Sequence, residues 1–96
     1  MKETQQTIAD WADQTLGVPD SVMGIVARAN EEMAELVMAA AETPVSIPEE
    51  AADVAILLYR IADVNGFDLH AEINRKMAIN RKREWVLKPN GTGRHA

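Results

Sequence analysis

Two short acidic stretches constrain the fold of this chain more than any other feature of its sequence. Glu32 and Glu35 stand three residues apart, and Glu50 and Asp53 repeat that spacing. On a helix this spacing places both carboxylates of a pair on one face, about one turn apart. The carboxylates of each pair would repel each other by roughly 3 kcal/mol at ~6 Å and an effective dielectric of ~20. We therefore expect two helices that face each other across a divalent cation, because Mg²⁺ and Mn²⁺ favour carboxylate oxygens.

The simplest alternative for these acids is a solvated helix face. Near the start of a helix, Glu50 and Asp53 would also interact favourably with the helix dipole. Glu32 does not fit this alternative, because it falls beside the apolar residues Ala29 and Leu36. A carboxylate that leans toward a core needs a partner, and this requirement favours the cation site.

Apolar residues recur every three or four positions along most of the chain, which is typical of amphipathic helices. Residues that break helices, chiefly Gly, Pro and Asn, separate these periodic segments. The pattern predicts an all-α fold, a helical bundle of about four helices, in a single domain over residues 1–96. We expect the helices at about residues 3–14, 20–42, 48–64 and 69–85.

Two helix starts and the end of the chain carry further local signals. Ser46 and Glu49 have the spacing of a capping box, with Pro48 in the first helical turn. Asp68 is a candidate N-cap for the fourth helix. The last stretch, residues 88–96, contains the turn-forming sequence Lys-Pro-Asn-Gly-Thr-Gly, so we expect a flexible tail there.

The third helix is predicted to need a partner subunit. Its sequence, AADVAILLYRIADV, is apolar on almost every side, and such a helix is normally buried all round. One short chain has too few other helices to cover it. We therefore predict that homo-oligomerisation completes the bundle, through a hydrophobic contact of the kind found in obligate dimers. The residues predicted at this contact are Val54, Leu58 and Ile61.

Composition and charge limit the class of function. The chain has no cysteine, which excludes disulfides and thiolate chemistry. Its net charge is −5, yet from residue 75 onward seven basic residues stand against one acid, and such an acidic body is unsuited to duplex nucleic acid. The longest wholly apolar run, Val54–Tyr59, is too short to span a membrane. The polar start lacks a secretory signal region, so we expect a cytoplasmic protein with no membrane partner.

The basic end of the chain has its own pattern. Lys76, Asn80 and Arg83 recur at spacings of four and three, so they are predicted to share one face of the fourth helix. This face is either a solvated surface, where cations suit the helix C-terminus, or a surface that binds phosphate. The separation of positive from negative charge along the chain favours phosphate. Trp11 in the first helix is expected to be a core anchor rather than a ligand contact.

Three motifs combine these residues in a recognisable order: Glu31-Glu32-x-x-Glu35, then after fourteen residues Glu50-x-x-Asp53, then Lys76-x-x-x-Asn80-x-x-Arg83-x-Trp85. This order resembles the MazG-like all-α nucleotide pyrophosphohydrolases. The ending Gly91-Thr92-Gly93-Arg94-His95 is similar to the tails of small phage members of that family. The resemblance covers about residues 20–95.

The resemblance implies Mg²⁺-dependent hydrolysis of a (deoxy)nucleoside triphosphate to the nucleoside monophosphate and pyrophosphate, with Mn²⁺ able to substitute. A metal-activated water would attack the phosphate chain. The family also implies a homodimer or homotetramer. We expect it in the cytoplasm of a bacterium, or of the host cell if a phage encodes it. Two alternatives stay open: an enzyme like the phosphoribosyl-ATP pyrophosphohydrolases, against which the Lys-Asn-Arg-Trp motif argues, and a non-catalytic helical interaction module.

Roles for individual residues follow from their positions in the family motifs. The resemblance makes all five acids catalytic and four of them metal ligands, namely Glu32, Glu35, Glu50 and Asp53. Glu31 would be a carboxylate behind the ligands, a ligand of a further ion, or the base that orients water. Lys76, Asn80 and Arg83 would contact phosphate. Trp11, Tyr59 and His95 are candidates for further substrate contacts.

Overall fold

The computed structural model describes residues 2–96, which form four helices and a small two-stranded sheet. The helices are α1 (Gln5–Leu16), α2 (Met23–Glu42), α3 (Ile47–Val64) and α4 (Leu69–Lys82). The strands are β1 (Trp85–Leu87) and β2 (Gly93–His95), and a 3-10 turn, Pro44–Ser46, joins α2 to α3. The four helices confirm the predicted all-α fold class apart from the small sheet. No helix in this described part of the chain combines the length and apolarity that crossing a bilayer requires.

α1 is fixed at its start by local bonds and by one distant contact. Thr4 and Thr7 cap the helix reciprocally: the Thr7 N–H donates to Thr4 Oγ1 (3.2 Å), and the Thr4 N–H donates to Thr7 Oγ1 (2.8 Å). Gln5 ties α1 to the connection between α3 and α4. Its Nε2 donates to the Phe67 carbonyl (2.8 Å), and its Oε1 accepts from the Leu69 N–H (2.9 Å). The side chain therefore satisfies backbone groups at the start of α4.

The pair of α2 and α3 carries the core and positions the acidic stretches. Only the segment 43–46 separates these two long helices, so they run antiparallel and pack against each other. The second half of α2 then lies beside the first half of α3, which brings the two acidic stretches together. The buried apolar residues are mostly small and come from the first three helices: Ala9 and Ala12 of α1, Ile25 and Ala39 of α2, and Val54 and Ala62 of α3.

The starts of the helices only partly follow the sequence prediction. α2 begins at Met23, later than expected, and Pro19 lies in the connection that precedes it. Ser46 makes no side-chain cap because its backbone is already right-handed helical, whereas a capping residue is normally extended. The 3-10 turn runs straight into α3, so the predicted capping box was wrong. The Asp68 cap of α4 is confirmed, since Oδ1 accepts from the Ala71 N–H at 2.7 Å.

The end of the chain departs most from the prediction. α4 ends before Trp85, and Arg83 already has an extended backbone, with φ −82° and ψ 150°. β1 and β2 pair antiparallel with Trp85 opposite His95, and Gly91 reverses the chain at φ 82°. The helix end predicted at about residue 85 was therefore wrong, and the sequence analysis did not predict the two strands. The flexibility expected of residues 88–96 stays a prediction.

Many large apolar side chains remain exposed in the single chain. Trp11 is 55% exposed on α1, and Leu58 is 43% exposed on α3. Val54 is buried in the core of its own chain, so its predicted place in a contact between subunits was wrong. Ile61 is half-buried. Exposed apolar side chains of this kind leave room for the predicted oligomer, which stays a prediction.

Candidate metal centre

Three carboxylates from α2 and α3 converge at one point of the fold. Glu32 and Glu35 lie one turn apart on α2, and Glu50 lies in the first turn of α3. One oxygen of each lies within 4.8 Å of the others. Helical spacing explains the pair on α2, while the antiparallel packing of the two helices brings Glu50 across. The structure thus brings together three of the four residues expected to bind metal.

Glu32 is the member of this acidic cluster that is buried. Only 6% of the residue is exposed, and Arg28 one turn earlier forms an ion pair with it. The pKa of Glu32 is raised, first because its side chain shares a hydrogen bond with Glu35 and second because burial disfavours the charged form. The positive charge of Arg28 acts in the opposite direction. A hydrogen bond between two carboxyl groups needs a proton, and a divalent cation can take the place of that proton.

Two carboxylate oxygens of the cluster have no hydrogen-bond partner within the described chain. They are Oε2 of Glu32 and Oε2 of Glu50, and both are buried. A buried anionic oxygen without a partner is costly. A hard divalent cation satisfies such oxygens directly. The donor set therefore fits a cation such as Mg²⁺ or Mn²⁺.

The remaining two acids of the motifs stand beside the cluster. Asp53 is half-buried one turn after Glu50 and lies outside the group of three, although its negative charge contributes to the raised pKa of Glu32. Glu31 is exposed and pairs with Arg28 at 2.9 Å. The role of Asp53 as a ligand and the role of Glu31 stay predictions.

The three residues predicted to bind phosphate are arranged differently from the expectation. Lys76 is exposed on α4, and Asn80 is half-buried there with its Oδ1 buried and unpartnered. Arg83 lies beyond the end of the helix, so the prediction that all three share one helix face was wrong. Arg83 Nη1 lies 2.7 Å from His95 Nε2. A guanidinium can only donate, so His95 accepts this bond and the hairpin holds Arg83.

The three candidates for further substrate contacts lie on three different elements. Trp11 on α1 is 55% exposed and lines an apolar cavity of about 550 Å³ with Ile8 and Ile56. Because it is exposed, the expectation of a core anchor was wrong. Tyr59 is half-buried on α3. His95 on β2 packs edge-on against Trp85, with ring centroids 4.8 Å apart. Contact of these side chains with substrate stays a prediction.

Sequence reasoning missed two arginines, one that pairs with the acids of the site and one that makes a long-range contact. Arg28 lies three and four residues before Glu31 and Glu32, and this spacing of opposite charges is a signal that could have found it. Arg60 donates from Nη2 to the Gly17 carbonyl at 2.8 Å across 43 residues of sequence. No local sequence pattern predicts a contact between residues at that separation.

Comparisons with known proteins agree with one another. Residues 4–96 match the family described as dATP/dGTP pyrophosphohydrolase. A dATP/dGTP diphosphohydrolase of Cyanophage S-2L is 38% identical over 93 residues, which is 97% of this chain and 85% of that protein. A protein of the same name from Salmonella phage PMBT28 is 38% identical over 95 residues, 97% of this chain but 30% of that protein. The chain therefore spans less than a third of the Salmonella phage protein's length.

A solved structure resembles this fold along nearly its whole length. It is the Cyanophage S-2L MazG-like pyrophosphohydrolase bound to dGDP and three catalytic Mn²⁺ ions per active site. The two chains are 36% identical, with a TM-score of 0.78, and the match covers 96% of this chain and 92% of the other. Sequence and fold therefore point to the same group of proteins.

Proposed function

Because the chain belongs to the dATP/dGTP pyrophosphohydrolase family, we propose that it hydrolyses dATP and dGTP. It is a nucleotide pyrophosphohydrolase of the small MazG-like phage type. The products are the deoxynucleoside monophosphate and pyrophosphate, and the reaction depends on Mg²⁺ or Mn²⁺. The names of the phage relatives support the purine deoxynucleotides as substrates. The family assignment argues against both earlier alternatives, the phosphoribosyl-ATP enzyme and the non-catalytic module.

The observation that carries this proposal is the acidic cluster of Glu32, Glu35 and Glu50, with two of its oxygens buried and unpartnered. These side chains would hold the cation from two different helices. When bound, it supplies neutralising charge for the phosphate chain and a more acidic water. The three Mn²⁺ ions of the cyanophage structure favour more than one ion here. Asp53 and Glu31 are the neighbouring carboxylates available for further ions.

The other polar residues of the motifs act on the substrate itself. Phosphoryl transfer depends mainly on positioning and on stabilising charge. Lys76 and Arg83 would bind the leaving pyrophosphate, lysine as a point charge and arginine as a fork with several donors. The unpartnered Oδ1 of Asn80 would accept a hydrogen bond from water or substrate. If Glu31 turns away from Arg28, its exposed carboxylate is free to orient the attacking water.

Homo-oligomerisation is part of the proposal. α4 has no buried residue in the single chain, although it carries Ile73 and Met77 with 46% and 39% exposure. A partner subunit that covers these side chains and the exposed face of α3 would complete the bundle. Obligate oligomers are stabilised by burying apolar surface of this kind between their subunits.

A nucleotide panel tests the proposed reaction. The four standard deoxynucleoside triphosphates and four ribonucleoside triphosphates are incubated separately with the protein and Mg²⁺ or Mn²⁺, and the products are separated by chromatography. We expect dAMP and dGMP together with pyrophosphate, in preference to other products. A parallel reaction with excess chelator should yield no monophosphate. Release of no monophosphate from any nucleotide would remove the proposal, and equal turnover of all eight would remove its substrate preference.

A further inference from the structure

A cleft lined by apolar and polar residues lies beside the metal centre. Its volume is about 540 Å³, within the range of roughly 300–1,000 Å³ that is usual for small-molecule sites. One wall is the connection between α1 and α2, residues 17–21, and the opposite wall comes from α2 and α3. Apolar side chains, among them Leu16, Ile25 and Leu57, share the walls with four polar side chains, two of which are arginines. Apolar walls with a few polar groups suit a flat heterocycle.

Arg28 connects this cleft to the metal centre. The same side chain lines the cleft and pairs with Glu31 and Glu32. The cleft therefore begins one helical turn from the cluster that would hold the phosphate chain. A nucleotide with its phosphates at the cluster must place its sugar and base in an adjoining space, and this cleft is such a space.

Arg60 holds the loop wall of the cleft in place. Its Nη2 donates to the carbonyl of Gly17 at 2.8 Å. Gly17 has φ 89°, a conformation that favours glycine, and its N–H bonds back to the Asp13 carbonyl at 3.1 Å. The loop thus leaves α1 through a backbone conformation that glycine permits, and the hydrogen bond from Arg60 ties it to α3.

The presence of an arginine at this position has a cost. Its Nε is buried and has no hydrogen-bond partner in the described chain, and no carboxylate of residues 2–96 forms an ion pair with it. An apolar side chain on α3 would avoid the unsatisfied donor. We therefore expect the role of Arg60 to lie in its contact with the loop, which an apolar side chain could not make.

We propose that this cleft binds the nucleoside portion of the substrate, and that Arg60 is a positioning residue that fixes the loop 17–21 as the wall facing the base. This inference rests on the proposed function for the identity of the nucleotide. It assigns binding of the nucleoside to the cleft and leaves binding of metal and pyrophosphate to the acidic cluster and the basic residues. Loss of Arg60 therefore weakens nucleotide binding without disturbing the chemistry.

The kinetic test replaces Arg60 by methionine, which keeps the side-chain stem and removes the donors. For Arg60→Met we expect KM for dATP and dGTP to rise by about tenfold or more, the equivalent of one lost charged hydrogen bond. The values of kcat, the affinity for Mn²⁺ and the inhibition constant of pyrophosphate should stay near those of the parent. Arg81→Met, an exposed substitution of equal charge change, is the matched control and should leave every constant unchanged. An unchanged KM, or equal losses in Mn²⁺ and pyrophosphate binding, overturns the proposal.

A second test uses the unaltered protein, so it does not depend on how a variant folds. Amide hydrogen exchange is followed with Mn²⁺ alone, with added dAMP or dGMP, and with added pyrophosphate. We expect the monophosphates, but not pyrophosphate, to slow exchange in the loop 17–21. Absence of protection by either monophosphate, or equal protection by pyrophosphate, counts against the cleft. A protein that fails to hydrolyse dATP yet shows this protection would contradict the proposed function and support the cleft.

Discussion

At the residue scale, we propose that the chemistry of the site depends on Glu32. It is a buried acid with a raised pKa, a hydrogen bond to Glu35 as the first cause and an unpartnered oxygen. A raised carboxyl pKa caused by a neighbouring acid and by burial is common at functional sites. The carboxylates of the cluster repel one another without a cation, and a bound cation would remove that repulsion. Acid-to-amide substitutions should therefore separate function from stability.

We predict that Glu50→Gln abolishes turnover and leaves the metal-free protein as stable as the parent or more so. The amide keeps the shape of the side chain and removes a charge that repels its neighbours. Activity on dATP and the melting temperature in chelator measure the two effects. Glu49→Gln, an exposed neighbour in the same helical turn, is the control and should retain activity. A large fall in the metal-free melting temperature of Glu50→Gln would show that this carboxylate is structural.

The raised pKa of Glu32 predicts a pH dependence of the metal-free protein. A carboxyl group whose pKa is higher in the folded than in the unfolded state binds more protons when folded. Stability should therefore fall as pH rises from the ordinary glutamate range up to the raised value, and stay level above it. Urea unfolding at several pH values in the presence of chelator measures this slope. Glu32→Gln should flatten it, and the same slope in both proteins would refute the assignment.

At the scale of elements, α4 and the hairpin form one basic unit. The Trp85 Nε1 donates to the Asn80 carbonyl at 2.9 Å, and Arg83 bonds to His95. The hairpin therefore fixes the end of the helix and the position of the arginine that follows it. This arrangement differs from a row of side chains on one helix face, but it leaves Lys76 and Arg83 on neighbouring parts of the same unit.

We predict that Arg83→Ala lowers kcat/KM by about ten- to a hundredfold, since one lost charged contact costs roughly 1.5–3 kcal/mol. Lys76→Ala should act in the same direction. Removal of residues 91–96 should hurt less and mainly raise KM, because it releases Arg83 without removing it. Steady-state kinetics with dATP and dGTP measure these changes, with Arg81→Ala as control. Values for Lys76→Ala and Arg83→Ala within a factor of about two of the parent would mean that these cations are merely solvated.

At the scale of the whole molecule, the single chain leaves several large apolar side chains exposed to solvent. Its buried residues are mostly alanines, while Trp11, Leu58 and Ile73 are all more than 40% exposed. Small side chains let helices approach closely but bury little area. A second copy of the chain is the simplest way to cover the remaining surface.

We predict a dimer or tetramer at low micromolar concentration, measured by sedimentation velocity. Leu58→Asp should weaken the assembly, because it places a charge in an apolar contact. A substitution on the exposed polar surface, Lys2→Asp, is the control and should leave the sedimentation coefficient unchanged. A well-folded monomer of 10.6 kDa at these concentrations would contradict the prediction.

The sequence by itself determined the features that arise from neighbours along the chain. Helical periodicity predicted four helices, Asp68 predicted the cap of α4, and the three-residue spacing of the acids predicted a cluster shared by two helices. These features are local, since each depends on backbone geometry within one or two turns. The motifs identified the family for the same reason, because each motif is a pattern of residues along the chain.

Only the tertiary structure decided which groups meet. Antiparallel packing selects Glu32, Glu35 and Glu50 for the cluster and leaves Asp53 beside it. The pairing of Trp85 with His95 ends α4 early and turns the tail into a hairpin. The bond from Arg60 to Gly17 joins segments 43 residues apart. Such contacts depend on how helices pack and where the chain reverses, and the free energy that selects them is shared among many side chains.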